Sequence, residues 1–202
     1  MIETLEQVGC RPVSRETFEK IERYVALLRE ESLRQNLVSS ATLERAWDRH
    51  ILDSAQLVRE EPRAGASWID IGSGAGLPGI VIACLVKGPV TLVEPRRLRA
   101  EFLHKAIESL HLSARVLCCK AQRVEGSFDV ITARAVAPLT QLLKISSHLS
   151  TRKTVWALPK GRSAKRELAE ARKAWQGSFR VEPSVTDAES FIVVGTEVRA
   201  RI

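Results

Sequence analysis

Residues 68–79 read Trp68-Ile69-Asp70-Ile71-Gly72-Ser73-Gly74-Ala75-Gly76-Leu77-Pro78-Gly79, a short apolar run that breaks into glycines. A tetrad with three apolar residues of four, bounded by a glycine turn, has the texture of a buried strand. Glycines at its end let the backbone turn sharply and approach a ligand with no Cβ in the way. In open parallel sheets ligands bind beyond the carboxyl ends of the strands, so this loop is the expected crevice. The spacing narrows the ligand. A dinucleotide fingerprint is GxGxxG, whereas here the glycines fall at 72, 74 and 76 and Leu77 stands where that fingerprint has glycine. No Walker lysine follows, which argues against a nucleoside triphosphate loop. Pro78 suits the first turn of a helix, where a missing N–H costs nothing.

Working outward from the loop, apolar strands at 68–71, 90–93, 114–119, 128–132 and 154–158 alternate with helical stretches at 78–86, 96–111, 135–149 and 163–175. Strands spaced by helices imply a parallel sheet covered on both faces. In the tail, Phe179-Arg180-Val181 and Phe191 to Val198 have no helix between them, which predicts an antiparallel hairpin at the sheet edge. Upstream, Phe18, Ile21, Val25 and Leu28 repeat at helical spacing within 14–35, and a second helix is expected over Thr42 to Val58. Glu61-Pro62-Arg63-Ala64-Gly65 then marks a turn. The expectation is one domain over 1–202: a helical N-terminal extension (1–65) on a doubly wound α/β core (66–202) whose mostly parallel sheet has seven strands.

Glu94 closes the second strand, 24 residues after Asp70, about where a carboxylate reaches ribose hydroxyls in this architecture. S-adenosylmethionine offers a ribose with both hydroxyls, a methionine zwitterion and a sulfonium. An acidic strand end beside an uncrowded backbone loop (Gly72, Ser73, Gly74, Gly76, Leu77) matches those groups. The alternative is a glycine turn in a ligand-free Rossmann-like domain.

The segment extended to Gly79 resembles the bacterial RsmG (GidB) family. Further segments resemble it in order: Asn36-Leu37-Val38, Arg49-His50-Ile51-Leu52-Asp53-Ser54, Arg123-Val124-Glu125, Phe128-Asp129, Arg134-Ala135-Val136-Ala137 and Lys160-Gly161. The likeness spans roughly residues 18–162, and the RHxxDS block is its most specific piece. The resemblance implies a Rossmann-like class I S-adenosylmethionine-dependent methyltransferase acting on N7 of a guanine in the decoding region of 16S rRNA. It also implies that Gly72 and Leu77 line the methionine and ribose side, that Glu94 holds the ribose, and that Val124 and Glu125 border the adenine. Arg134 would sit at the mouth where cofactor and substrate meet. The chain departs from the pattern at Pro95-Arg96-Arg97-Leu98-Arg99, where the family usually shows a serine and a Lys-Lys or Lys-Arg pair, and at Val38, where threonine is usual.

Guanine N7 has an available lone pair at neutral pH, so no proton-abstracting residue is nominated and catalysis can rest on positioning. Arg and Lys donate to guanine O6 and N7 in duplexes. With N7 reacting, Arg134 or Lys160 is assigned to O6 or a phosphate. Each candidate also has a structural reading: His50 as a packed, hydrogen-bonded histidine, Asp53 as a cap or arginine partner, Asp129 as a structural carboxylate, Lys160-Gly161 as a simple turn.

With 45% hydrophobic and 27% charged residues in 202, the chain reads as a soluble globular protein. Residues 1–65 carry 10 basic and 12 acidic side chains, residues 66–202 carry 21 and 12, and eight basic residues fall within 151–175. Clustered positive charge attracts polyanions, although a solvated helix face would look the same. Cys10, Cys84, Cys118 and Cys119 contain no CxxC and are read as reduced core thiols, so no metal is expected. No apolar run approaches a membrane span and MIETLEQVGC has no basic n-region, so the expected address is cytoplasmic, with no membrane partner. The expected partner is 16S rRNA, within the 30S subunit or an assembly intermediate, and the expected state is a monomer. Competing readings are a methyltransferase for a small molecule or protein, and a non-catalytic RNA-binding module.

Overall fold

The computed structural model describes residues 1–201, with the backbone alone at Ser40 and Ala41. Strands β1 (Trp68–Ile71), β2 (Val90–Val93), β3 (Ala114–Leu117), β4 (Val130–Thr132), β5 (Val155–Lys160), β6 (Trp175–Pro183) and β7 (Phe191–Ala200) form one sheet in the order β3-β2-β1-β4-β5-β7-β6. Pairings from β3 through β5 are parallel, while β5–β7 and β6–β7 are antiparallel. The edge hairpin is therefore present, and longer than the sequence pattern implied. Strand order reverses between β1 and β4, the place where a doubly wound sheet opens a crevice.

The helices are α1 (Ile2–Gly9), α2 (Arg15–Ser32), α3 (Ser40–Glu44), α4 (Asp53–Ala55), α5 (Gly79–Leu85), α6 (Arg97–Leu110), α7 (Leu139–Ser146) and α8 (Ala164–Ala174). Alternation along β1 assigns the two faces. Trp68 joins a core with α2, α5 and α6, whereas Ile69 and Ile71 join a second core with α7 and α8. Helix α2 starts at Ser14, whose side chain accepts from Thr17 N–H at 3.1 Å, and it buries Ile21, Tyr24, Val25 and Leu28. Each such aliphatic side chain contributes about 1.5–3 kcal/mol through burial. Leu5 of α1 lies in the same core, so the N-terminal helices and the α5–α6 face share one apolar interior.

Several expectations need correction. The helix expected over 42–58 is broken into α3, a π-helical turn at Trp47–Leu52, α4 and a 3-10 turn at Gln56–Glu60. The helix expected from residue 135 begins only at Leu139, because Ala135 takes a left-handed conformation (φ 56°) and Pro138 caps the helix start. Lys160 is the last residue of β5 rather than part of a turn after it. The cysteines are not all core thiols: Cys10 and Cys118 are exposed, Cys84 and Cys119 half-buried. Strand β3 ends at Leu117 on the outer edge of the sheet, so Cys118 has no second layer to enter. No helix among the described residues is long and apolar enough to cross a membrane.

Candidate active site

The turn after β1 is held from both sides. The Glu94 carboxylate at the end of β2 accepts from Gly74 N–H at 2.9 Å through one oxygen and from Arg96 N–H at 2.9 Å through the other. Below, Asp70 accepts from Gly79 N–H at 3.1 Å, and Gly79 is required there because a Cβ would stand 2.7 Å from the same carboxyl oxygen. From the N-terminal helices, Tyr24 donates its hydroxyl to Ala75 C=O at 2.8 Å. Gly72 has φ +67°, and a Cβ on it would meet Val136 Cγ2 at 2.7 Å. Ser73 is buried, donating to Asp70 C=O at 3.0 Å, and Gly76 and Leu77 pack inward.

A crevice of about 330 Å³ opens beyond these strand ends. Its walls include Ile71, Gly72, Val93, Glu94 and Ala121, and its rim carries Arg96, Arg99 and Lys120. Of the residues expected around a cofactor, Gly72 and Glu94 face this crevice directly. Ser73, Gly74, Gly76 and Leu77 form the turn behind it. Val124 is buried in the α7–α8 core, and Glu125 lines a separate groove. At that point the crevice is walled instead by Lys120, Ala121 and Gln122, in and before the 3-10 turn Ala121–Arg123.

A second cavity of about 440 Å³ adjoins the first across Ala135 and Val136, which line both. It gathers Asp53, Arg134, Pro138, Lys160, Glu167 and Phe191 from five separate segments of chain. Lys160 Nζ donates to Ala137 C=O at 2.9 Å and pairs with Glu167 at 3.0 Å. Burial alone would raise the Glu167 carboxyl, but bonds from Ser163, Lys160 and Leu139 N–H outweigh it and hold the group below its ordinary range. Arg134 pairs with Asp53 at 3.3 Å and makes long contacts to Arg49 C=O at 3.5 Å and His50 Nδ1 at 3.4 Å.

The RHxxDS block lies in the π-helical turn and α4, which bring Asp53 to the cavity wall and set His50 against Arg134. π-turns recur at functional sites because they re-aim side chains. His50 turns Nδ1 towards Arg134, and its Nε2 is buried without a partner among the described residues. Burial first, then the neighbouring Arg134, lowers His50 from 6.5 to about 4, so the ring is neutral at physiological pH. Asp53 is anchored on its other oxygen by Gln56 Nε2 at 2.9 Å and Thr186 Oγ1 at 3.1 Å. Asp129 is structural, accepting from Ser67 N–H at 2.8 Å and pairing with Arg63 at 2.8 Å. Tyr24, Gln122 and Phe191 escaped the sequence reading. Tyr24 lies within the apolar period of α2, and Phe191 was visible only as the start of a strand.

A family model for rRNA small subunit methyltransferase G (GidB) matches residues 17–190. The chain is similar to the ribosomal RNA small subunit methyltransferase G of Zymomonas mobilis, 46% identical over 198 residues that cover 94% of this chain and 90% of that protein. The corresponding protein of Erythrobacter litoralis is 48% identical, covering 88% of this chain and 87% of its own length. Among solved structures, a TehB-like SAM-dependent methyltransferase from Corynebacterium glutamicum superposes with a TM-score of 0.60 at 16% identity, covering 85% of this chain and 98% of that one. A SAM-dependent methyltransferase from Aquifex aeolicus gives 0.60 at 14% identity, covering 75% and 92%. These likenesses carry the fold, a class I methyltransferase sheet. Sequence identity across nearly the whole chain carries the rest: this chain belongs to the GidB family of small-subunit rRNA methyltransferases.

Proposed function

We propose that the protein transfers a methyl group from S-adenosylmethionine to N7 of a guanine in the decoding-region loop of 16S rRNA. The single observation that carries the reading is the pair of adjoining cavities sharing Ala135 and Val136. One is built on the glycine turn and the other on paired cations.

The methyl donor, bound in the first crevice, supplies an electrophilic methyl on a sulfonium. Glu94 fits its ribose: the carboxylate is already oriented by Gly74 and Arg96, and each oxygen keeps a lone pair for a hydroxyl. Gly72, whose missing side chain lets Val136 close in, lines the crevice beside the donor, Ala121 and Val93 offer apolar walls to the adenine, and Val124 supports the turn behind them. Glu125 lines a groove at the N-terminal ends of β2 and β3, the opposite end of the sheet, and is given no contact with the donor. Arg96, Arg99 and Lys120 at the rim suit a carboxylate or phosphate.

The acceptor base enters the second cavity from an unpaired or flipped position, since RNA is read mostly through bases freed from helices. Lys160, with two of its three donors engaged, has one left for O6 of the base. Arg134, loosely held by three long contacts, is free to turn towards a phosphate at the mouth. Neither group removes a proton, because N7 needs no base. Their contribution is orientation, which can be worth several kcal/mol when reacting atoms are pre-aligned.

The reading is tested by incubating the purified protein with S-adenosylmethionine and either 30S particles or free 16S rRNA, then identifying the modified nucleoside by mass spectrometry. Appearance of 7-methylguanosine at a single decoding-region position is expected. Methylation of another atom, or none on either substrate, contradicts it. The same assay reports whether the subunit or the bare RNA is the substrate, and a monomeric protein in cytoplasm, needing no metal, is the form expected to act.

A further inference from the structure

Lys160 and Phe191 are opposite residues of the antiparallel β5–β7 ladder, so one wall of the acceptor cavity presents a cation and an aromatic ring side by side. Phe191 is half-buried: its ring packs against the α7–α8 core but still lines the cavity. A cation already reaches its face, since the ammonium of Lys165 on the first turn of α8 lies 5.6 Å from the ring centroid. The other formal charges of the cavity are neutralised in pairs, Arg134 with Asp53 and Lys160 with Glu167.

On the guanine-N7 reading proposed above, on which this inference rests, the chemistry creates a charge that these pairs do not address. The N7 lone pair forms the new C–N bond while the methyl–sulfur bond breaks and its electron pair returns to sulfur. N7 carries no proton to release, so the positive charge leaves the sulfonium and settles on the imidazole ring of the base. A cation formed between an arginine and a lysine needs an environment that attracts it. An aromatic face carries the negative lobe of the ring quadrupole and holds a cation above it. It also stacks any base without regard to sequence.

We propose that Phe191 is the stacking platform for the acceptor guanine, and that its π face stabilises the positive charge that develops as N7 is methylated. The two parts of the role are separable. Stacking of the neutral base governs RNA affinity, whereas attraction to the nascent cation governs the rate of transfer and retention of product.

Phe191→Leu keeps the apolar bulk and removes the π face, and Phe191→Trp enlarges that face. Both are compared with wild type in single-turnover transfer at saturating S-adenosylmethionine and RNA. Both are also titrated with a decoding-region RNA fragment carrying guanosine or 7-methylguanosine. Donor affinity and thermal midpoint serve as folding controls. Wild type is expected to bind the methylated fragment several-fold more tightly than the unmodified one. Phe191→Leu should lose that preference and slow transfer by about tenfold, the scale of a desolvated cation–π contact. Phe191→Trp should keep both properties. Wild-type rate and preference in Phe191→Leu, or equal impairment of the two variants, overturns the proposal. If wild type itself forms no 7-methylguanosine, the underlying reading fails before Phe191 is tested at all.

Discussion

The two cavities that meet at Ala135 and Val136 are built in opposite ways. The donor crevice is organised around one backbone turn: small residues after β1, two N–H groups fixed by Glu94, and one carbonyl fixed by Tyr24. The acceptor cavity is made of side chains delivered by α4, the loop after β4, the end of β5, α8 and the start of β7. A shape set by contiguous residues is rigid and local. A shape assembled from five segments depends on every element that holds one of them. Mutations should therefore separate the two cavities, one set altering donor affinity and the other altering transfer.

The largest separation is expected from Glu94→Ala. It removes two charge-assisted hydrogen bonds to the turn, each worth about 1.5–3 kcal/mol, together with the proposed ribose contact. S-adenosylmethionine should bind at least about 100-fold more weakly by calorimetry. Binding within threefold of wild type would sever the crevice from the donor.

A smaller effect belongs to Asp53→Ala. Arg134 loses its carboxylate partner, while Gln56 Nε2 and Thr186 Oγ1 each lose one bond and keep Ser184 Oγ. Transfer should slow by roughly tenfold, in line with the loss of one charge-assisted bond that orients Arg134, worth about 1.5–3 kcal/mol, with donor affinity unchanged. Asp53→Glu should restore part of the rate, since a carboxylate is again available to orient the guanidinium. Complete insensitivity of turnover to Asp53 would mean that the β6–β7 loop and α4 do not act on Arg134.

The smallest effect is one of slope. Burial first of all, opposed by bonds from Ser73 and Gly79, lifts Asp70 from 3.8 to about 7, and one of its oxygens is buried without a partner among the described residues. Between those values the native state holds a proton that the unfolded chain has lost, so this group makes stability fall as pH rises. His50, lowered from 6.5 to about 4, acts in the opposite sense, its contribution being lost as pH falls through that window. In wild type the two offset each other where the windows overlap. Asp70→Asn removes only the first, so stability should climb more steeply between about pH 4 and 6.5, measured as urea midpoints. An unchanged slope would place the Asp70 proton elsewhere.

The same contrast explains what could be read from sequence. The donor side was legible because its parts keep a regular order along the chain: a mostly apolar tetrad, glycines in fixed spacing and an acidic residue at the next strand end. Strand β1 runs over the four residues the pattern indicated. The acceptor side was legible only in fragments. Arg134 and Lys160 came from a resemblance, and nothing in their spacing placed either beside Glu167 or Phe191. The helix expected over 42–58 failed for a related reason. Apolar periodicity does not distinguish an α-helix from a segment that widens into a π-turn to point His50 and Asp53 at a neighbour. Ala135 was equally opaque, since a left-handed alanine is imposed by its surroundings and leaves no mark in local composition.

The division between the cavities is tested most directly by pairing Lys160→Met with Glu94→Ala in one series. Donor affinity is read by calorimetry and methyl incorporation is followed on 30S particles. Lys160→Met should bind S-adenosylmethionine as wild type does while losing about tenfold or more in transfer, and Glu94→Ala should lose donor binding itself. Loss of donor affinity in Lys160→Met matching that of Glu94→Ala, or transfer by Lys160→Met at the wild-type rate, would contradict the account.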